Sequence, residues 1–197
     1  MTIINFFNKT IASGVVLAQI FIFLAVIYLL FFRKKQNIVF EFIGKNGVIF
    51  AFGVSLTATL GSLFYSQFAG FKPCNLCWIQ RIFMYPEFIL LGFALIKKNY
   101  NITNYVLSFS FIGWLISIYH NYIYYYNSGL NSYCQLLDKE TSCVKRYVFE
   151  LGYITIPLMS LTAFTLIIIF LILYKLSRLN RGSLMPTTLS IHDKVGT

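Results

Sequence analysis

Charge is what this sequence has least of. Only 6 of its 197 residues are Asp or Glu, and charged residues of both signs reach 11%, against about 25% in a soluble globular chain. Apolar residues make up 58% and aromatics 19%, and the mean hydropathy is +0.72. That balance excludes a disordered chain and a basic nucleic-acid-binding domain, and it argues against a soluble enzyme. No internal repeat is present, no A-x-A cleavage site follows the first apolar run, and there are only four cysteines. The remaining solvent for so apolar a chain is lipid. The net charge of +10 then reports topology before it reports an acidic partner.

A spanning helix needs about 20 mostly apolar residues. Five segments qualify: 11–32, 47–71, 78–96, 105–126 and 151–174. Lipid offers no hydrogen bonds to the backbone, so each is expected to be helical. The connections assign sides. Arg33, Lys34, Lys35, Lys45, Lys97, Lys98, Lys175, Arg178, Arg181 and Lys194 fall on one side, and Lys9, Lys72, Lys139, Lys145 and Arg146 on the other. The richer side is expected to be cytoplasmic, with the N-terminus outside and the C-terminus inside. Segment 11–32 is read as a true span and not a signal peptide, because its basic n-region is only Lys9 and Arg33-Lys34-Lys35 follows it as a stop. Residues 175–197 are polar, hold Gly182 and Pro186, and read as a flexible cytoplasmic tail.

On this topology every cysteine falls outside, a distribution that points to an oxidising compartment. Cys74 and Cys77 lie in the short connection between the second and third spans, and Cys134 and Cys143 in the long one between the fourth and fifth. A C-x-x-C immediately before a helix places a thiol, here expected to be the second, at the positive helix N-terminus, where its thiolate is favoured. Closing so small a ring constrains little of the unfolded chain, which suits a pair meant to open. Three readings stay open for Cys74 and Cys77, a redox pair, a structural disulfide or half of a four-cysteine metal site, and the redox pair is preferred. A c-type haem site is excluded because Trp78, not His, follows Cys77. Cys134 and Cys143 read equally as a structural disulfide or a redox pair, and two dithiols within reach exchange through a mixed disulfide.

Two ionisable groups sit at similar depth. Arg81 lies four residues past Cys77, about 6 Å deeper on the same helical stripe. A charge in the apolar zone costs at least about 2.5 kcal/mol and marks a candidate site. His120 lies about 9 Å from the outer end of its span. Gln80 is the expected hydrogen-bond partner of Arg81. Glu87 is about 240° around the helix from Arg81, and so on another face; a neutral carboxyl or a polar partner on a neighbouring helix would account for it. Thiolate, guanidinium and imidazole together suit a lipid-soluble two-electron acceptor with polar carbonyls, and a quinone is such a molecule.

The stretch Pro73-Cys-Asn-Leu-Cys-Trp-Ile-Gln-Arg-Ile-Phe-Met-Tyr-Pro86 resembles the signature of the DsbB/BdbC family of disulfide bond formation proteins. Ser117-Ile-Tyr-His120, Gly152-Tyr-Ile-Thr-Ile-Pro157 and Gly61-Ser-Leu63 resemble further stretches of its BdbC-type branch. The resemblance covers roughly 48–174. It implies an all-α integral membrane protein built on a four-helix transmembrane bundle (47–174); one extra N-terminal transmembrane helix and its cytoplasmic connection (1–46) lie outside that bundle. It implies a dithiol:quinone oxidoreductase of the bacterial cell membrane that reoxidises a separate extracytoplasmic thioredoxin-like thiol oxidase, DsbA/BdbD-like, and passes the electrons to ubiquinone or menaquinone. Cys74 and Cys77 match the quinone-proximal pair, Arg81 the quinone-binding arginine, His120 a histidine near that site, and Cys134 and Cys143 the partner-facing pair. Gln80 joins Arg81 and His120 as a candidate for cofactor binding, and no metal is expected. Three departures stand out: the extra N-terminal span, Glu87 where an apolar residue is usual, and Ile156 before Pro157. Two rival readings are a vitamin K epoxide reductase-like enzyme and a non-catalytic membrane module with structural disulfides or a four-cysteine metal site.

Overall fold

The computed structural model describes residues 2–31, 38–71, 73–126 and 153–183. It is all-α. Five helices carry the apolar runs: α1 (Thr2–Phe31), α3 (Gly47–Gln67), α4 (Asn75–Lys97), α5 (Thr103–Tyr126) and α6 (Ile156–Ser183), with a short α2 (Ile38–Lys45) between the first two. Five are long and apolar enough to cross a membrane. Large side chains such as Phe23, Leu24, Phe93, Phe111 and Leu115 are exposed, as expected where lipid takes the place of water.

The expected spans fall on these helices, with shifted ends. The second apolar segment ends as helix at Gln67, because Gly70 takes a positive φ of 68° and turns the chain toward α4. Helix α4 starts at Asn75, earlier than Trp78, and continues through Pro86. At its other end Lys98 adopts the left-handed conformation, φ 51°, and a 3₁₀ turn, Tyr100–Ile102, leads into α5. One expectation needs correction. Residues 175–183 are not a flexible tail but the last turns of α6: Leu176 continues the helix, Ser177 packs under Gly44 of α2, and no proline falls between Pro157, in the first turn of α6, and Pro186. The connection after the first span carries the short α2, whose Ile43 packs with Ala25, Ile169 and Leu173.

Helix α6 is the mast of the bundle, with α1, α2, α3 and α5 packed on it and α4 between α3 and α5. Apolar transfer does not drive helices together in lipid, so close approach must. A Cβ on Gly47 would lie 2.5 Å from the Phe170 carbonyl oxygen, and one on Gly113 would lie 2.5 Å from the Phe164 ring. Val48, Ala51, Leu91, Ala94, Val106, Ile167 and Leu171 form the main core, toward the end remote from Cys74. Helix α1 lies alongside α6. Its start is tied to the end of α3 by a buried hydrogen bond from the Tyr65 hydroxyl to Asn8 Oδ1 (2.9 Å) and by stacking of Phe7 on Phe64. The Tyr153 hydroxyl donates to Gln19 Oε1 at 3.0 Å. Membrane hydrogen bonds average about 0.6 kcal/mol, so these two orient α1 while packing against α6 holds it.

Because the obstacle at Gly47 is a backbone atom, Gly47→Ala is expected to destabilise the bundle by about 1–3 kcal/mol, the usual range for overpacking. Gly53→Ala, where a Cβ meets nothing within 4 Å, serves as the matched comparison. Thermal unfolding in detergent reads both; equal midpoints would remove Gly47 from the packing argument.

Candidate active site

The end of α3, the start of α4, the end of α5 and the start of α6 meet at one end of the bundle, and the site is built there. Cys74 is the N-cap of α4, with extended backbone (φ −73°, ψ 167°), and its carbonyl accepts the first helical bond from the Trp78 N–H at 3.0 Å. Cys77 follows in the first turn. The helix therefore brings the two sulfurs to 3.1 Å as free thiols within hydrogen-bond reach. The earlier expectation placed the stabilised thiolate on the second cysteine. With the helix beginning at Asn75 the advantage passes to Cys74, which holds the capping position. Its thiol is pulled well below the usual range, first by the hydrogen bond from the Cys77 thiol and, against the cost of burial, by His120.

His120 of α5 is 1% exposed. Its Nε2 lies 3.8 Å from Cys74 Sγ, and its Nδ1 has no hydrogen-bond partner among the described residues. Arg81, one turn beyond Cys77 on α4, donates from Nη2 to the Ser62 carbonyl at 3.2 Å and lies over the Trp78 ring at 5.3 Å. The Ser62 carbonyl and the Trp78 ring give this half-buried cation a fixed seat, a more specific arrangement than a side chain snorkelling to the interface. A guanidinium has five N–H donors, so donors remain for a ligand.

Gln80 does not pair with Arg81. Its Nε2 donates to Ser117 Oγ at 3.1 Å, because successive residues on a helix point about 100° apart. Ser117 also meets the Gly113 carbonyl and Ser160 Oγ, and Asn121 Nδ2 donates to the Ser117 and Pro157 carbonyls at 2.8 and 2.9 Å. Sequence reasoning missed this buried network of Ser117, Asn121 and Ser160. Its signal was present: Ser117 and Asn121 are spaced i,i+4 in an otherwise apolar helix and flank His120. Glu87 is fully buried near Ser110 of α5, but neither its carboxyl oxygens nor Ser110 Oγ has a hydrogen-bond partner among the described residues. It does not line the cavity described next.

Cys74, Cys77, Gln80, Arg81 and His120 line one end of a cavity of about 990 Å³. The thiol sulfurs and an imidazole nitrogen lie within 4.8 Å of one another. They make three soft donors, one short of the four that close a structural zinc site. Cys134 and Cys143 lie outside the described residues, so the four-cysteine alternative and the second dithiol have no geometry here.

Fold and site together define a class, the membrane-embedded thiol oxidoreductases, in which a dithiol sits at the head of an apolar cavity between helices. Comparison with known proteins narrows that class. Residues 45–174 match the family described as "Disulfide bond formation protein DsbB". The SPbeta prophage-derived disulfide bond formation protein B of Bacillus subtilis is 44% identical over 123 residues, covering 62% of this chain and 81% of that protein. Disulfide bond formation protein C of the same organism is 40% identical over 134 residues, 66% of this chain and 96% of that protein. A probable disulfide formation protein C 1 of Bacillus cereus is 43% identical over 114 residues, 58% of this chain and 81% of that protein. No solved structure matches. The chain belongs to the DsbB family of disulfide bond formation proteins. It is a multi-pass membrane oxidoreductase with a thiol oxidase role in disulfide formation.

The lowered Cys74 thiol has a signed consequence. Thiolate is the reactive form, and a depressed pKa keeps it populated as pH falls through the range where an ordinary thiol becomes protonated. In the reduced protein, alkylation of Cys74 is expected to vary little from about pH 8 to about pH 6, where an ordinary thiol slows about tenfold per unit. His120→Ala should move the fall-off toward higher pH. An ordinary thiol profile at Cys74, read by mass spectrometry after timed labelling, would contradict the assignment.

Proposed function

We propose that the protein is a dithiol:quinone oxidoreductase that reoxidises a separate thioredoxin-like thiol oxidase. The observation that carries this reading is the place of the thiol pair, at the polar end of a long apolar cavity whose polar groups include a hydrogen-bond donor with capacity to spare. The fit to a quinone rests on three features: Arg81 with N–H donors to spare, the Nδ1 of buried His120, which has no partner among the described residues, and an apolar cavity open to an isoprenoid chain. Arg81 and His120 would hold the ring oxygens, with Gln80 beside them. When bound, a quinone supplies a sink for two electrons and two protons, which is what conversion of a dithiol to a disulfide releases.

The chain's own residues do the rest. The Cys134–Cys143 disulfide accepts the partner's dithiol, with Cys134 the sulfur attacked. Cys143, released as thiolate, attacks the Cys74–Cys77 disulfide, and exchange through a mixed disulfide leaves Cys74 and Cys77 reduced. His120 stabilises the thiolate at Cys74 Sγ. Cys77, one turn from Arg81, stands nearer the acceptor. Helix packing shields this pair from water and leaves the long loop to meet the partner. The basic-residue asymmetry supports cysteine loops on the extracytoplasmic side of a bacterial cell membrane and a cytoplasmic C-terminus. We take 47–174, which the family match covers, as the functional domain and 1–46 as an added unit.

Two experiments test this reading. Arg81→Lys keeps the charge and loses the planar fork of donors. A lost charge-assisted hydrogen bond costs about 1.5–3 kcal/mol, so quinone use should fall roughly 10- to 150-fold. Thiol exchange with the partner in a single turnover without quinone should be nearly unchanged. Normal quinone kinetics in both Arg81→Lys and Arg81→Ala would make Arg81 an interface residue only, and a defect confined to exchange would move it to the partner's side. Reporter fusions should place Lys35 and Lys98 in the cytoplasm and Asp138 outside; a cytoplasmic Asp138 would overturn the orientation and the partner assignment with it.

A further inference from the structure

The cavity that begins at the cysteines does not stop at the site. It follows α1 from Phe7 to Phe21, α3 from Tyr65 back to Ile49, and α6 from Ile156 to Phe170. Each of these stretches is 14 to 16 steps of helix, so at 1.5 Å per residue the cavity runs about 20 Å along the bundle, a large part of the roughly 30 Å apolar thickness of a bilayer. Its charged and ionisable groups gather at one end. The far end is closed by aromatic rings, with Phe21 and Phe50 each 5.4 Å from Phe170.

The walls are built for space, not contact. Thr10, Gly14 and Ala18 of α1 recur every four residues along the cavity, and Gly53, Thr57 and Gly61 of α3 do the same opposite. Small residues at this spacing ordinarily let two membrane helices touch. Here they do not. A Cβ placed on Gly14, Gly53 or Gly61 would meet nothing within 4 Å, whereas one on Gly47 or Gly113 would collide. Helix α1 is fixed to the rest of the protein at both ends of the gap, by Asn8 and Phe7 at the head and by Ala25 against Ile169 and Leu173 at the foot. The gap is therefore held open by the way α1 is mounted.

We propose that α1, the helix outside the four-helix unit, is one wall of a slot that takes the polyisoprenoid tail of the quinone, and that it makes this enzyme selective for long-tailed quinones. The inference rests on the quinone reading above. Continuity with the thiol site fixes the occupant: the ring end of the molecule has to meet Arg81 and His120, whose buried Nδ1 has no partner among the described residues. The only part of such a molecule that suits an apolar slot of this length is its tail. The N-terminal helix thereby gains a function that the four-helix unit alone does not explain.

Full-length enzyme in detergent, with a dithiol donor, is assayed with a long-tailed menaquinone or ubiquinone and with the corresponding tailless quinone. Filling the slot from either wall, with Gly14→Leu or Gly53→Leu, should lower the ratio of kcat/KM for long-tailed over tailless quinone at least tenfold. Leu17→Phe, on the exposed side of α1, should keep the wild-type ratio. Because the two fillings come from different helices, a folding defect in one leaves the other to decide, and the ratio is read within one preparation. An unchanged ratio in both would overturn the slot while leaving the quinone reading intact. Failure of the wild-type protein to reduce either quinone would overturn the quinone reading, and this inference with it.

Discussion

The close approach of Gly47 to the Phe170 carbonyl is the contact on which the arrangement of the bundle depends. In lipid the helices gain nothing from hiding apolar surface from one another, so their positions are set where backbones can nearly touch. Helix α6 supplies that surface. Gly47 brings the start of α3 against it, Gly44 brings α2 against Ser177, and Gly113 leaves room on α5 for the Phe164 ring. Once α3 and α5 are fixed to α6, α4 is confined between α3 and α5. The cysteines at its start then have one place to go.

That place joins groups from three helices. Cys74 and Cys77 come with α4, His120 with α5, and the Ser62 carbonyl that seats Arg81 with α3. The polar network around Ser117 holds this end together. Its hydroxyl accepts from Gln80 of α4 and meets Ser160 of α6, so one side chain of α5 links three helices. Polar bonds of this kind are individually small in a membrane. Their value is in register, because a shifted helix would leave several buried polar atoms unpaired at once.

The packing of α1 differs from that of the other helices. Where α3 and α6 meet through glycine, α1 and α3 face each other with glycines that touch nothing. The same residue type thus marks contact at one interface and space at another. Spacing alone does not separate the two cases, since both read as small residues four apart.

The sequence by itself determined the number and approximate position of the apolar helices, because the length of a charge-free run and the cost of an unpaired backbone group in lipid are local properties. It also singled out Cys74, Cys77, Arg81 and His120, since cysteines at C-x-x-C spacing and ionisable groups in apolar runs are conspicuous one residue at a time. Tertiary structure decided what local reading cannot. The start of α4 at Asn75 handed the capping position to Cys74. Side-chain direction around α4 turned Gln80 toward Ser117 and left Arg81 to the Ser62 carbonyl. Packing of Ser177 under Gly44 drew 175–183 into α6. The mounting of α1 on α6 opened a cavity between helices whose sequences only suggested contact. Each of these depends on which faces of separate helices meet, and that is fixed by the fit of the helices to one another, not by any one of them.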